Sequence, residues 1–138
     1  MNTSKKNNQV TGNMGLYYAC YELSKRGWNV LPTARNAKGI DIIAYSENAE
    51  KKITIQVKSL SKKNPVPFGS KMENKLIADF VIICSELDKP QPKIYVATSN
   101  EIKDKVHASG TKNKPSYWLE HRMYAEFEGK WGKIGDGF

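Results

Sequence analysis

The sequence has few of the residues from which disulfide-rich or zinc-binding domains are built. It contains only two cysteines, Cys20 and Cys84, each inside an apolar segment and far from the other. Small reduced cysteines behave as core hydrophobes, so we expect buried free thiols rather than a bridge. The two histidines share no metal-ligand spacing with the cysteines. This pattern argues against a structural zinc site.

Long apolar runs are also missing from the sequence. No run approaches the roughly 18 residues that a membrane-spanning helix needs. The first ten residues are polar and partly basic, without the apolar stretch that follows the basic residues of a secretory signal. We therefore expect a cytoplasmic protein.

The sequence contains enough hydrophobic residues to form the core of one folded domain, and it carries an excess of positive charge. Of its 138 residues, 39% are hydrophobic, and 22 Lys and Arg face 14 Asp and Glu, for a net charge of +8. These values predict a single domain over residues 1–138, with residues 1–11 as a flexible lead. Because phosphate backbones favour clustered Lys and Arg through counterion release, the charge suggests a polyanionic partner.

The hydrophobic pattern along the chain predicts alternating helices and strands. Helices are expected over residues 12–26 and 72–78, after Ser99 as an N-cap, and near the C-terminus with Met123, Phe127 and Trp131 on one face. Strands are expected over residues 28–31, 40–45, 52–58, 80–84 and 94–98. Residues 61–70 and 109–116 are rich in Lys, Pro, Gly and Ser and are typical of loops. The order predicts an α/β fold in which helices flank a mixed sheet.

The strands over residues 40–45 and 52–58 are expected to form an antiparallel hairpin. If its turn is symmetric, Asp41 lies opposite Gln56, and Lys58 projects from the same face one pleat further on. Cβ atoms of directly opposed residues lie about 5 Å apart, so the three side chains would converge. A slip of one residue would turn Asp41 into the apolar face, which the alternation of the second strand forbids.

This trio has the chemistry needed for metal-assisted hydrolysis of a phosphodiester. Magnesium prefers hard oxygen ligands and keeps several waters, so a small protein ligand set is sufficient. Asp41 would supply the anionic oxygen, Gln56 its side-chain carbonyl and Val57 its backbone carbonyl, with Mn²⁺ as the alternative ion. Lys58 would orient or deprotonate the attacking water, or neutralise charge that builds on the phosphate.

The same residues carry a resemblance to a known family. The pattern Gly-Ile-Asp, fourteen residues and Gln-Val-Lys, following a helix and a first strand, resembles the PD-(D/E)XK nuclease superfamily. The glutamine variant is similar to restriction enzymes that cut modified DNA, and Holliday junction resolvases share the core. Over roughly residues 12–98, the resemblance implies a restriction-endonuclease-like αβββαβ core, to which an extra C-terminal helix is added. It also implies magnesium dependence and a nucleic-acid substrate, with Asp41 as metal ligand, Gln56 at the usual Glu position and Lys58 as the lysine.

Two departures from the family pattern leave other functions open. Gln56 removes a negative charge, and the position where the first helix often supplies a metal-binding Glu is Leu16. The chain could therefore be a nucleic-acid-binding module without catalysis. Taken singly, Asp41 could be a turn residue, and Gln56 and Lys58 could belong to the solvent-exposed face of an edge strand. Only their joint arrangement favours a magnesium-dependent DNA endonuclease.

Basic residues flank the predicted hairpin on both sides. Those expected to hold phosphates are Arg35, Lys38, Lys62, Lys63 and Lys71. Nothing in the sequence separates DNA from RNA as the substrate, so a toxin or defence domain that cuts RNA is a further alternative. Enzymes that cut both strands often pair two active sites, which makes a homodimer compatible with this reading.

Overall fold

A five-stranded mixed sheet forms the framework of the computed structural model, which describes residues 7–34, 38–73 and 75–138. The elements in chain order are α1 (Asn8–Lys25), β1 (Asn29–Pro32), β2 (Ile42–Tyr45), β3 (Lys52–Ser59), β4 (Val66–Gly69), β5 (Phe80–Ser85), β6 (Lys93–Thr98), α2 (Ser99–Lys103), β7 (His107–Thr111), β8 (Lys114–Leu119) and α3 (His121–Tyr124). The main sheet has the order β1-β2-β3-β5-β6, in which only β3 and β5 are parallel. A smaller antiparallel sheet has the order β4-β8-β7. The predicted α/β class with a mixed sheet is confirmed.

Two hydrophobic clusters lie on opposite faces of the main sheet. The first cluster packs α1 against one face and includes Leu23, Ile55 and Ile82. The second fills the space between the other face and the smaller sheet and includes Phe68, Val81 and Ile83. Strand β5 therefore contributes to both clusters, as its continuous apolar run predicts. Cys20 and Cys84 are free thiols, and Cys84 is buried.

Helix α1 begins earlier than the sequence pattern predicts. The side chain of Asn7 accepts a 2.8 Å hydrogen bond from the backbone N–H of Val10 and caps the helix. The lead predicted over residues 1–11 is thus wrong for residues 8–11, while residues 1–6 lie outside the described part of the chain. None of the helices in the described ranges is both long and apolar enough to cross a membrane.

Small residues let α1 lie close to the end of β3. Its buried positions recur every four residues, at Thr11, Gly15, Ala19 and Leu23. A Cβ atom on Gly15 would overlap the side chain of Ser59, so glycine is required at this crossing. The close approach fixes the N-terminal half of the helix beside the last residues of β3.

The connection between β3 and β5 differs from the prediction. Residues 61–70 contain β4, in which Val66 and Phe68 are buried and Pro67 faces outward on an edge strand. The described residues of the range 72–78 form turns and bends instead of a helix. Leu76 adopts a φ of 58°, which a right-handed helix cannot accommodate, and its side chain is buried in the second cluster.

The C-terminal third also departs from the sequence pattern. The stretch 109–116, predicted as a loop, lies within the β7–β8 hairpin. The long final helix is wrong: α3 spans only His121–Tyr124, and short 3₁₀ turns follow at Ala125–Phe127 and Trp131–Lys133. Between them Gly129 turns the chain with a φ of 66°, so Phe127 packs into the second cluster and Trp131 against the first.

Helix α2 has a different cap from the one predicted. Thr98, not Ser99, is its N-cap, and it forms a capping box with Glu101. Ile102 is buried in the second cluster, as predicted.

Candidate active site

The register of β2 and β3 sets the relative positions of the predicted site residues. Ile42 pairs with Ile55 in the antiparallel ladder, which continues to Tyr45 opposite Lys52. One step beyond, the N–H of Asp41 donates a 2.8 Å hydrogen bond to the carbonyl of Ile55. This bond lies one residue out of the Ile42–Ile55 register, so Asp41 bulges just before β2 and, contrary to the prediction, is not paired with Gln56 in the ladder. Because Ile55 packs against α1, Gln56 and Lys58 point to the opposite face.

The carboxylate of Asp41 is held directly by β3. Its Oδ2 atom accepts a 2.7 Å hydrogen bond from the backbone N–H of Val57. The N–H and C=O groups of one strand residue point to the same side, so the carbonyl of Val57 also faces the Asp41 side of β3. A carboxylate and a backbone carbonyl are therefore presented together at the point where β2 begins.

Gln56 is buried beside this carboxylate. Only 6% of the residue is exposed, and its Oε1 atom has no hydrogen-bond partner in the described part of the chain. Leaving a buried carbonyl unsatisfied costs about 1–3 kcal/mol, so such atoms commonly contact a bound group. A hard cation would satisfy this oxygen together with Asp41. The residues present thus fit a magnesium ion.

The ammonium group of Lys58 lies in a partly desolvated position. Burial, and secondly the positive charge of Lys75, lower the pKa of Lys58, while the negative charge of Asp41 acts in the opposite direction. The Lys58 Nζ atom lies 4.8 Å from the centroid of the Phe68 ring. This ring belongs to β4 and is itself buried, so it limits access of water to the amine.

An open cavity of about 570 Å³ reaches Gln56 and Lys58; we call it the lysine cavity. Its lining residues are Lys38, Gly39, Gln56, Lys58, Ser70, Lys71, Glu73 and Lys75. The predicted phosphate-binding residues Lys38 and Lys71 are therefore at the cavity. Glu73 and Lys75 were missed by the sequence analysis, because a helix was expected where the chain instead turns back over the site.

The other predicted phosphate-binding residues lie elsewhere. Lys62 and Lys63 are exposed and follow β3 at its far end, and they do not line the lysine cavity. They lie next to Ser61 and Asn64, which line a second cavity of about 410 Å³ that also reaches Lys58. Arg35 lies outside the described residues.

Comparison with known proteins finds likeness in structure rather than in sequence. No protein-family model matches the chain, and no curated protein matches it either. The structure resembles that of the bacterial homing endonuclease I-Ssp6803I, with a TM-score of 0.62 and 16% identity over 94% of this chain and 92% of the other. It also resembles the Holliday junction resolvase Hjc from Archaeoglobus fulgidus, with a TM-score of 0.50 and 19% identity over 80% of this chain and 91% of the other.

The chain has a restriction-endonuclease-like fold. At these identities the comparisons establish the fold alone. In this fold, Asp41 directly precedes β2, and Gln56 and Lys58 lie on β3.

Helix α1 carries no acid at position 16, where related folds often have a metal-binding Glu. Leu16 packs against the first hydrophobic cluster. The carboxylate of Glu22 is paired with Arg26 at 2.7 Å. Across the ranges that the structure describes, no three His, Cys, Asp or Glu side chains gather closely enough to hold a metal ion. A cation at this site would therefore depend on Asp41 and on neutral oxygens.

Proposed function

We propose that the chain is a magnesium-dependent endonuclease that hydrolyses phosphodiester bonds in DNA. The observation that carries this proposal is the hydrogen bond that holds the Asp41 carboxylate at Val57, between Gln56 and Lys58, both of which line a cavity with further lysines. An acid, a free carbonyl oxygen and an amine are the groups that metal-assisted phosphodiester hydrolysis requires. The cavity is open, as access for a polymer demands.

In this proposal Asp41, Gln56 and the backbone carbonyl of Val57 hold Mg²⁺, and Mn²⁺ can replace it. The ion supplies positive charge to the phosphate and activates water. The hydrogen bond from Val57 keeps the Asp41 carboxylate oriented, so no side-chain reorganisation is needed when the ion binds. The unsatisfied Oε1 atom of Gln56 gains a partner at the same moment.

Lys58 acts on the water or on the phosphate. Burial and the charge of Lys75 lower the pKa of Lys58, so a larger fraction of its amine is unprotonated and able to accept a proton than in an exposed lysine at the same pH. In its protonated form it stabilises the negative charge that develops on the phosphate oxygens. Lys38, Lys71 and Lys75 line the same cavity and hold the neighbouring phosphates by charge.

The choice of DNA over RNA is supported by the compared structures. A homing endonuclease and a Holliday junction resolvase share the fold. Because the fold alone does not fix the substrate, the experiment must include RNA.

A nucleic-acid-binding module without catalysis is the second candidate. It is favoured by the position of Leu16 in the apolar core and by the small number of acids around Asp41 in the described ranges. It predicts salt-dependent DNA binding without products in any divalent ion.

The deciding experiment incubates the purified protein with plasmid, branched DNA and RNA, with Mg²⁺ or with EDTA. The endonuclease proposal predicts DNA products that require the ion and that are lost in Asp41→Ala and in Lys58→Ala. Cleavage that survives both substitutions would show that a contaminating nuclease is responsible. Binding without products in Mg²⁺, Mn²⁺ or Ca²⁺ would support the second candidate.

A further inference from the structure

The β7–β8 hairpin projects a basic ribbon from the smaller sheet. All five residues of β7 are exposed, and β7 is an edge strand. The hairpin itself, His107 to Leu119, contains two lysines, Lys112 and Lys114, and no Asp or Glu. A two-residue turn, Lys112 and Asn113, joins the strands, so the positive charge is concentrated at the tip.

The two faces of this hairpin differ in chemistry. On one face Ala108 lies opposite Tyr117, and Tyr117 packs against the second hydrophobic cluster. The other face carries side chains with hydrogen-bonding groups, namely His107, Ser109, Thr111, Lys114, Ser116 and Trp118. The ribbon thus rests on the domain with its apolar face and presents donors and acceptors outward.

The tip of the hairpin is held in one conformation. Gly110 has a φ of 89°, and a Cβ atom there would overlap the backbone carbonyl of Lys114. The hydroxyl of Thr111 accepts a 3.0 Å hydrogen bond from the N–H of Lys114 across the turn. At the base, the rings of His107 and Trp118 lie 4.5 Å apart. A preorganised element loses little entropy when it binds a partner.

The hairpin is connected to the candidate active site through its neighbours. Strand β8 pairs with β4, which carries the Phe68 ring beside Lys58. A shallow cavity of about 260 Å³ is lined by Ala108 and Tyr117 from the hairpin and by Lys75, which also lines the lysine cavity. A polymer whose backbone enters the lysine cavity would therefore pass close to the hairpin.

We propose that the β7–β8 hairpin is a reading arm that enters the major groove of a DNA duplex whose backbone lies in the lysine cavity. This inference rests on the proposed function, because it takes DNA as the ligand. The major groove is about 12 Å wide and admits a two-stranded β-ribbon, whereas the minor groove is about 6 Å wide. Lys112 and Lys114 contact phosphates at the groove edge, and the hydroxyls of Ser109 and Ser116 face the base edges.

The first test measures duplex binding in EDTA over a range of salt concentrations, so that it is independent of cleavage. Each phosphate contact contributes about 0.9 to the slope of log affinity against log salt. We expect the double variant Lys112→Ser and Lys114→Ser to bind a duplex with a shallower salt slope, by the contribution of about two phosphate contacts. The matched control, Lys51→Ser with Lys52→Ser, removes the same charge from two exposed positions at the start of β3 and just before it. Equal losses in the two double variants would overturn the proposal.

The second test identifies the groove. Methyl green, which occupies the major groove, should compete with the protein for duplex, and netropsin, which occupies the minor groove, should not. The double variant Ser109→Ala with Ser116→Ala should keep the wild-type salt slope and reduce the difference in affinity between unrelated duplex sequences. Competition by netropsin alone would overturn the assignment, as would an unchanged sequence preference.

Failure of this inference and failure of the proposed function give different results. If the wild-type protein binds duplex with a hairpin-dependent slope but never cleaves it, the nuclease proposal fails and the reading arm remains. If it cleaves DNA and the hairpin variants behave as the control does, the reading-arm proposal is wrong and the nuclease proposal remains. If it binds no duplex at all, both are wrong.

Discussion

The carboxylate of Asp41 and the backbone N–H of Val57 are joined by a 2.7 Å hydrogen bond between β2 and β3. Val57 lies between Gln56 and Lys58, so this one bond ties the acid to the strand segment that carries the other two groups. The arrangement depends on the strand register, since a slip of one residue would separate all three. This dependence makes the site open to direct tests by substitution.

Replacing the acid at Asp41 should abolish activity without loss of the fold. In Asp41→Asn the amide oxygen can still accept the hydrogen bond from Val57, but the negative charge is lost. We expect at least a 100-fold fall in DNA cleavage and loss of the Mg²⁺ binding heat in titration calorimetry. Asp104→Asn, which neutralises an exposed acid after α2, is the matched control. Unchanged Mg²⁺ binding in Asp41→Asn would show that the metal site is elsewhere.

Substitutions of Gln56 test whether its side-chain carbonyl is a metal ligand. Because ligand charge tunes affinity, Gln56→Glu should tighten Mg²⁺ binding about tenfold, equivalent to about 1.4 kcal/mol. Gln56→Leu keeps the volume but removes the carbonyl, and should weaken Mg²⁺ binding while thermal stability is retained or raised. Calorimetry and thermal unfolding of both variants distinguish these effects. Equal Mg²⁺ affinity in the two variants would contradict a role for Gln56 as ligand.

We expect Lys58 to lower the free energy of unfolding while it contributes to DNA cleavage. Its pKa is lowered from 10.5 by burial first and then by Lys75, so the folded state releases the proton more readily than the unfolded state does. Between the lowered pKa and 10.5 the unfolded state binds more protons, and stability therefore rises with pH in that window. Below the lowered pKa the full penalty applies.

Lys58→Met should accordingly raise the melting temperature at pH 7 and reduce cleavage by at least 100-fold. The stabilisation should shrink as the pH approaches 10.5. Lys52→Met, at the exposed start of the same strand, should change neither property appreciably. A lower melting temperature for Lys58→Met at pH 7 would show that its charge is compensated in the fold.

Two glycines of α1 should respond to alanine in opposite ways. At Gly15 a new Cβ would overlap Ser59, so Gly15→Ala should destabilise the protein by about 1–3 kcal/mol. At Gly12 no atom lies within 4 Å, so Gly12→Ala should stabilise it by up to about 1 kcal/mol through helix propensity. Chemical denaturation measures both. Adding Ser59→Gly should restore part of the stability lost in Gly15→Ala, and no restoration would refute the proposed clash.

The parts that were predictable from sequence are those in which local pattern and tertiary packing agree. Strict alternation in β3 and the apolar run of β5 indicate strands, and the strand register follows from the requirement that Ile55 face the core. The same alternation places Gln56 and Lys58 on one face of β3, whereas the contact of Asp41 with Val57 depends on an irregularity of the ladder that periodicity does not reveal. Sequence periodicity can therefore locate those site residues that lie on regular strands, because it shows which side chains share a face.

The remaining parts depend on contacts between distant segments. The β4 segment forms a strand despite Pro67, because β8 pairs with Val66, Pro67 and Gly69. The residues before β5 have a helical composition, but burial of Leu76 in a left-handed conformation prevents a helix. No local pattern could therefore have placed Glu73 or Lys75 at the lysine cavity.

The connection from β4 to β5 lines the lysine cavity without being part of either sheet. Its residues Lys71, Glu73 and Lys75 contribute charge, whereas the framework on β2 and β3 contributes Asp41, Gln56 and Lys58. Substitutions in a few positions of this connection can thus alter the electrostatic lining while the hairpin chemistry stays intact. The groups on the sheet framework and the charges of the connection can thus be varied separately, and the connection is the easier of the two to redesign.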